Sequence, residues 1–193
     1  MSGRRPVPRV VTERLLLREW LPSDRVPFGH LNADPRVAQF LGGPLDRAAS
    51  DALIDRIEVR WASDGHGLWA VERRTDRAFL GFVGLAAPMF EAAFTPCVEV
   101  GWRLDPAAWG HGYATEGARA ALRFGFEELG LAELVSFTVP ANLRSRAVME
   151  RLGMVRDPAD DFDHPDLSDG HPLRRHVLYR LVREAWRASV ASR

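Results

Sequence analysis

The segment "DPAAWGHGYATEGARAALRFGF", residues 105–126, changes character halfway along its length. It opens with a proline and the closely spaced glycines Gly110 and Gly112, and it continues without a break as an alanine-rich helical pattern. The apolar run "VEVGWRL", residues 98–104, comes directly before it and has the composition of a β-strand. The sequence therefore predicts a strand, a glycine-containing turn and the start of a helix, in that order.

A turn of this kind can bind an anion. The first backbone N–H groups of a helix have no partner inside the helix, and the aligned peptide dipoles place partial positive charge there. Glycines before the helix let a phosphate group come close to the backbone, so we predict that the amides of residues 111–115 bind a diphosphate. A strand-to-helix turn without a ligand is the alternative, because isolated Gly-x-Gly matches are common.

Two other phosphate-binding motifs do not fit the segment. A dinucleotide fingerprint needs a third glycine at position 115, where this chain has threonine, and it belongs to an opening βαβ unit. All 26 basic residues are arginine, so the lysine of a P-loop is absent, as is any lysine nucleophile. The sequence therefore argues against a nucleotide enzyme of either type.

Length and composition predict a single domain. The 193 residues, 46% of them hydrophobic, are enough for one buried core, so we expect one domain over residues 1–193. The formal net charge is zero, so no overall field attracts nucleic acid or a membrane. The single cysteine, Cys97, and the lack of an apolar leader predict a cytoplasmic protein.

The order of apolar patterns predicts a mixed α/β fold. We expect a strand over residues 11–19, two short helices that start at Ser23 and Asp34, and a longer helix over residues 46–62. Apolar residues at four-residue steps predict the buried face of the longer helix: Ala49, Leu53, Ile57 and Trp61. The complete prediction is β-αα-α-βββ-α-β-α-ββ, with a C-terminal tail after about residue 184.

Three motifs in this order resemble the Gcn5-related N-acetyltransferase (GNAT) superfamily: "TERLLLRE", "WGHGYATEG" and "NLRSRAVMERLGM". The resemblance covers about residues 11–183 and is strongest to the branch that includes ribosomal-protein N-terminal (alanine) acetyltransferases. It implies an α+β fold whose central sheet has about seven strands, is mostly antiparallel, is splayed at the acetyl-CoA site and is flanked by helices.

The resemblance also implies a set of acetyl-CoA-binding residues. The family's diphosphate motif, Gln/Arg-x-x-Gly-x-Gly/Ala, falls on residues 109–114, with Trp109 in place of Gln or Arg. Backbone groups of the strand would bind the pantetheine arm, and Asn142 would face the cofactor or cap the next helix. The complete predicted set is Val100, Trp102, His111, Gly112, Tyr113, Ala114, Thr115, Asn142 and Ser145.

Acetyl transfer to an amine needs a base for the amine and a proton for the departing thiolate. Glu99 is the one carboxylate in its apolar strand, and strand alternation places it on the face of Cys97, Gly101 and Arg103. We predict that desolvation raises its pKa and makes it the base; a solvent-facing glutamate paired with an arginine is the alternative. Many family members carry a tyrosine acid where this chain has Met149, so the acid is predicted to be Ser145 or water.

Further predictions concern the acceptor pocket, a metal site and the cysteine. By resemblance, the early helices and the last strands form the acceptor pocket, which makes Trp20, Phe40 and His164 candidates. The acidic loop over residues 158–171 matches no standard zinc or calcium spacing, so we expect no metal. Cys97 has no histidine partner in a recognisable catalytic motif, which favours direct transfer of the acetyl group to the amine over an acetyl-cysteine intermediate.

The sequence therefore predicts an acetyl-CoA-dependent N-acetyltransferase. The acceptor is expected to be a primary amine of a protein N-terminus or of a small molecule. We expect no nucleic-acid or membrane partner, and the sequence leaves open whether the protein forms a homodimer. A catalytically silent module that binds acyl-CoA is the alternative.

Overall fold

In a computed structural model of the protein, which describes residues 6–191, the chain forms a mostly antiparallel open sheet flanked by helices. The strands found in that range are Val10–Val11 (β1), Leu15–Arg18 (β2), Leu68–Arg73 (β3), Phe79–Ala86 (β4), Glu99–Leu104 (β5), Glu133–Thr138 (β6), Val155–Arg156 (β7), Phe162–Asp163 (β8) and Arg175–Val182 (β9). The helices are Arg25–Ala33 (α1), Pro35–Ala38 (α2), Arg47–Asp64 (α3), Tyr113–Arg123 (α4), Leu143–Arg151 (α5) and Arg183–Ala191 (α6). This is the fold class that the sequence predicts.

The chain divides into two compact units, and the first contains the described residues up to Leu85 together with Gly101–Ala120. Its strands lie in the order β1-β2-β3-β4, followed by the part of β5 from Gly101 onward, and the first four pair antiparallel. Fully buried side chains of β2, α1 and β3 form its core, among them Leu15, Phe28 and Trp69. The single strand predicted over residues 11–19 is two strands, because Thr12 accepts and donates local hydrogen bonds with Leu15 in a turn between them.

Helix α3 begins and ends as the sequence predicts. Asp46 Oδ1 accepts from the amide of Ala49 at 2.7 Å, and the helix ends at Gly65, whose φ is 71°. The predicted buried face is partly wrong, since the buried residues are Ser50, Ile54, Ile57 and Trp61. Ser50 is buried although it is polar, because its hydroxyl accepts from Asn32 Nδ2 at 2.9 Å.

The second unit contains Ala86–Val100 and the described residues from Ala121 onward. Its strand order is β5-β6-β9-β7, with β8 also paired to β9. The β6–β9 ladder is antiparallel and runs from Glu133 opposite Val182 to Thr138 opposite Val177. The parallel register of β5 with β6 is the single pair Glu99 and Val135, so this strand pair separates after one step.

The C-terminal tail predicted after residue 184 is wrong, because the chain forms helix α6 there. Trp186 is 8% exposed, and its ring lies 5.2 Å from that of Phe126. Arg183 Nε also donates to the carbonyl of Leu131 at 2.7 Å. Burial of one aromatic side chain therefore orders a segment whose polar composition suggested a tail.

The predicted count of about seven strands rises to nine within residues 6–191, since the first strand is divided and β8 forms in the acidic loop. The single domain predicted for residues 1–193 stays a prediction. Within the same range, no helix combines the length and apolar character needed to cross a membrane.

Candidate active site

The strand, turn and helix predicted around Gly112 are present in the first unit. After β5 ends at Leu104, a short 3₁₀ turn follows, and Trp109 Nε1 donates to the carbonyl of Leu104 at 2.9 Å. Gly110 and Gly112 both have φ of 80°, a left-handed conformation that favours glycine. The carbonyl of Gly112 then accepts from the amide of Glu116 at 3.0 Å, which starts α4.

The start of α4 has backbone amides without a partner inside the helix. Because the first intrahelical bond joins Gly112 to Glu116, the amides of residues 112–115 have no partner inside the helix. His111 and Gly112 are exposed, and nothing lies within 4 Å of the place where a Cβ on Gly110 would be. The loop therefore has the open backbone and the positive dipole end that a diphosphate requires.

A residue that the sequence analysis did not identify, Arg14, fixes this loop. Its Nε donates to Glu116 Oε2 at 2.7 Å, its Nη1 donates to the carbonyl of His111 at 2.9 Å, and its guanidinium lies 4.8 Å from the ring centre of Tyr113. Thr12 donates its hydroxyl to Glu116 Oε1 at 2.6 Å. Burial opposes ionisation of Glu116, but the bonds from Thr12 and Arg14 outweigh it and lower the pKa of this carboxyl. The glutamate in the first turn is therefore ionised and locally neutralised.

Small residues let α4 lie close to the sheet. A Cβ on Gly117 would lie 3.1 Å from Val83 Cγ2 of β4, which is tighter than nearly all such contacts. Ala118 has no exposed surface. A larger side chain at position 117 would move the helix away from β4.

Glu99 lies at the start of β5, in the second unit. The residue is half-buried, and desolvation alone raises the pKa of its carboxyl to about 8. Among residues 6–191 no side chain forms an ion pair or hydrogen bond with it, while Arg180 instead binds Glu133 at 2.8 Å and Asp160 at 2.7 Å. The structure thus holds a carboxyl without a compensating arginine, which argues against the alternative of a paired, solvent-facing glutamate.

Cys97 precedes this carboxyl in the chain. Burial, and then the charge of Glu99, raise the pKa of its thiol to about 11. The thiol is therefore protonated at neutral pH and is a poor nucleophile, which agrees with the preference for direct transfer.

Asn142 and Ser145 contact each other at the start of α5. Asn142 Oδ1 accepts from the amide of Ser145 at 3.3 Å, so Asn142 caps the helix, and its Nδ2 donates to Thr138 Oγ1 at 3.0 Å and Ser145 Oγ at 3.1 Å. The Ser145 hydroxyl accepts this bond, and its proton has no acceptor within the described part of the chain. Met149 is 1% exposed and belongs to the core, so no proton donor occupies that position.

The chain is similar to known proteins over most of its length. The sequence profile of the acetyltransferase (GNAT) domain matches residues 14–155. The chain belongs to the GNAT acetyltransferase family. A relative from Aspergillus fumigatus, FsC-acetyl coenzyme A-N(2)-transacetylase, is 41% identical over 180 residues, which are 83% of this chain and 74% of the relative. The GNAT assignment makes the protein an acetyl-CoA-dependent acetyltransferase.

Solved structures show the same GNAT fold. The acetyltransferase from Agrobacterium tumefaciens has a TM-score of 0.74 and 30% identity, and the match covers 94% of this chain and 98% of that one. A provisionally assigned ribosomal-protein-serine acetyltransferase from Vibrio cholerae has a TM-score of 0.71 and 20% identity, with 92% and 98% covered. The second likeness is evidence for the fold alone.

The structure distributes the three predicted acceptor residues of this GNAT protein over both units. Trp20 is 6% exposed, donates its Nε1 to the carbonyl of Leu68 at 2.9 Å and packs against Phe28. Phe40 is half-buried and follows α2. In the second unit, the ring of His164 lies 4.4 Å from that of Phe90. Trp20 has the contacts of a core residue, and the acceptor roles of all three stay predictions.

The first unit also contains a cavity of about 190 Å³ that the sequence analysis did not anticipate. Its lining is aliphatic apart from Asn32, Arg56 and Arg103. Arg103 Nη1 donates to Asn32 Oδ1 at 2.6 Å, its guanidinium lies 5.4 Å from the ring centre of Phe82, and its buried Nε has no partner. Desolvation lowers the pKa of Arg103 to about 10, so this side chain is still charged at neutral pH.

The histidines and carboxylates of residues 6–191 form no group that could hold a metal ion. The predicted absence of a metal from this GNAT protein stays a prediction, and no metal enters the mechanism that follows.

Proposed function

We propose that this acetyltransferase transfers the acetyl group of acetyl-CoA to a primary amine, of a protein N-terminus or a small molecule, by direct attack in a ternary complex. The observation that supports this most is the carboxyl of Glu99, which has a pKa of about 8 and no compensating cation. A carboxylate with a pKa near the working pH is suited to remove a proton from an amine. The name of the Aspergillus fumigatus relative, which specifies N(2) transacetylation, supports nitrogen as the acceptor atom.

The donor would be bound largely by backbone groups. The amides of residues 111–115 would hold the diphosphate at the start of α4, which the contacts of Arg14 keep in place. Backbone groups of Val100 and Trp102 would bind the pantetheine arm as an added strand, and Asn142 would contact the arm from its capping position. When bound, acetyl-CoA supplies an acetyl group activated as a thioester.

Glu99 would act as the general base. The amine nitrogen attacks the acetyl carbonyl carbon, the new N–C bond forms, and Glu99 takes the proton that the nitrogen loses, directly or through water. Only its ionised form can do this. At a pKa of about 8, roughly 9% of the carboxyl is ionised at pH 7, so both the charged and the neutral state are available near neutral pH.

The departing thiolate needs a proton when the C–S bond breaks. Ser145 is the proposed donor, because its hydroxyl accepts from Asn142 Nδ2 and keeps its own proton free for another partner. Water is the alternative donor, and Met149 cannot act as one.

Release of free thiol from acetyl-CoA, measured with a panel of primary amines, tests the proposed function. Acetylation of an amine, confirmed by mass spectrometry, is the expected result. If calorimetry shows acetyl-CoA binding but no amine in a chemically broad panel is acetylated, the chain is instead the catalytically silent acyl-CoA-binding module, and the proposal is wrong. An acceptor acetylated on oxygen would also contradict it.

A further inference from the structure

The cavity of the first unit holds positive charge that no carboxylate neutralises. Neither Arg103 nor Arg56 forms an ion pair within residues 6–191, and no acidic residue lines the cavity. Buried arginine in the same unit is otherwise paired: Arg18 is 4% exposed, and it binds Asp24 at 2.7 Å and Glu72 at 2.8 Å. Arg103 is half-buried and Arg56 is exposed, but Arg103 Nε is buried without a partner, and a buried guanidinium group is costly without a counter-charge.

The guanidinium of Arg103 is held with one edge free. Its Nη1 donates to Asn32 Oδ1 at 2.6 Å, and Asn32 is itself held by its bond to Ser50 at 2.9 Å. The Nε is buried without a partner, and the structure gives Nη2 no hydrogen bond. Nε and Nη2 are the two parallel donors with which a guanidinium binds a carboxylate side-on. Arg103 therefore leaves both of these donors unpaired at a residue that lines the cavity.

The walls of the cavity suit a carboxylate on a hydrocarbon chain. Val37, Ala38, Leu41 and Leu53 contribute aliphatic surface on which a hydrocarbon chain can pack. Of the two arginines, Arg56 is exposed to solvent, so a single negative charge is enough for the half-buried Arg103. The volume of about 190 Å³ leaves room for a short hydrocarbon chain beside the carboxylate.

We propose that this cavity binds the carboxylate of the acceptor, so that the substrates are amines that also carry a carboxylate on a short chain, such as amino acids. The proposal rests on the proposed function, and the cavity is lined by residues of α1, α2, α3 and β5 and of the segment between α2 and α3. Arg103 supplies the paired donors, Asn32 orients Arg103, and Arg56 adds charge at the cavity.

The first experiment compares matched acceptors on the unaltered protein. The probes are ω-amino acids from glycine to 6-aminohexanoate, the carboxamide of each, and 3-aminopropylphosphonate, all with acetyl-CoA. We expect kcat/KM to be about 10 to 100 times higher for the best amino acid than for its carboxamide, the effect of a charge-assisted bidentate contact. Equal rates for acid and amide, or a preference for the phosphonate, would overturn the carboxylate assignment while leaving acetyl transfer to amines intact. If none of these amines is acetylated, the substrate class is wrong, and the broad amine panel then decides the proposed function separately.

A second experiment uses variants and does not require turnover. Butanoate should raise the thermal unfolding midpoint of the protein in a concentration-dependent way, and butanamide should not, because only a ligand that binds the folded state stabilises it. Arg56→Gln and Arg103→Gln should reduce the butanoate shift and the acid-to-amide ratio. Arg60→Gln, which removes an arginine one helical turn from Arg56 that binds Asp64 at 3.1 Å, is the matched control and should change neither. If Arg103→Gln does not fold, Arg56→Gln and the comparison of butanoate with butanamide still test the site. The site is refuted if Arg56→Gln keeps the acid-to-amide ratio of kcat/KM and butanoate does not shift the unfolding midpoint of the unaltered protein.

Discussion

Replacing Glu99 by glutamine should slow acetyl transfer and remove the steep part of its pH dependence. The carboxyl has no compensating cation among the described residues, and burial raises its pKa to about 8. If its ionised form is the base, the rate follows the ionised fraction. Glutamine has nearly the same shape and cannot accept a proton, so the substitution tests the proton transfer with little change in packing.

The size of the effect follows from the pKa. With a value of about 8, the ionised fraction is about 1% at pH 6, 9% at pH 7 and 50% at pH 8. The rate should therefore rise about 50-fold from pH 6 to pH 8 and less than about twofold above pH 8. A carboxyl with an ordinary pKa near 4.5 would be fully ionised throughout, and the rate would be nearly constant. Glu99→Gln should lower kcat at least about tenfold at pH 8 and give a flat profile.

The assay needs an acceptor that does not itself titrate. A weakly basic amine that is neutral over the whole pH range isolates the titration of the enzyme, and kcat is measured at saturating acetyl-CoA. Glu133→Gln is the matched control, because Glu133 lies on the neighbouring strand but is paired with Arg180 at 2.8 Å, and its profile should keep the steep limb. A near-normal rate for Glu99→Gln, or a wild-type profile that is flat from pH 6 to pH 8, would refute the assignment of Glu99 as the base.

The pH dependence of stability tests the raised pKa of Glu99 independently of catalysis. The folded-state pKa of about 8 lies above the unfolded value, so the neutral form is favoured by folding. This contribution is fully present below about pH 4.3 and is lost as the pH rises through 8. The unfolding midpoint of the unaltered protein should therefore fall relative to that of Glu99→Gln between pH 5 and pH 9. Midpoints that stay parallel would show that Glu99 has no raised pKa.

Three further substitutions test the loop, the cap and the C-terminal helix. Gly112→Ala should weaken acetyl-CoA binding at least about tenfold by calorimetry because its φ is 80°, whereas Gly130→Ala, with φ of 68° in another loop, should cost similar stability and leave binding unchanged. Asn142→Ala should cost about 1 kcal/mol of unfolding free energy by loss of the cap, and an unchanged acetyl-CoA affinity would limit its role to capping. Trp186→Ala should cost about 3 kcal/mol in urea unfolding, whereas Val190→Ala, at a site 53% exposed, should cost little; equal costs would contradict the packing of α6.

The fold could be predicted wherever a local pattern decides the structure. Asp46 and Gly65 set the ends of α3 through capping and a left-handed φ, and both effects depend on residue type alone. The buried face of α3 was predicted less well, because Ser50 is buried through a bond to Asn32, eighteen positions away in sequence. Helix α6 was missed for the same reason: its order depends on a distant partner of Trp186. Such tertiary contacts leave no periodic signal in the chain.

In the candidate site, too, the features set by local sequence could be predicted and those set by distant contacts could not. The loop at Gly112 was predicted because glycine spacing and the start of a helix determine its backbone amides. Arg14, which fixes that loop, binds Glu116 across 102 positions of sequence, and nothing in the spacing of the chain indicates the pair. Arg103 was noted only as a member of a strand face, since the aliphatic cavity around it exists only after helices and strand have folded together.

The difference between backbone and side-chain recognition explains what family membership can establish for this protein. Trp109 replaces the Gln or Arg of the family motif, yet its indole bonds to the end of β5 and the amides that follow remain open. The proposed donor binding through backbone groups would tolerate such a change, and acetyl-CoA dependence follows from membership of the family. Acceptor binding depends on individual side chains, so a neighbour with the same fold and 20% identity carries no information about it. The acceptor must be inferred from this chain's own charges, and the free edge of Arg103 is the strongest of those.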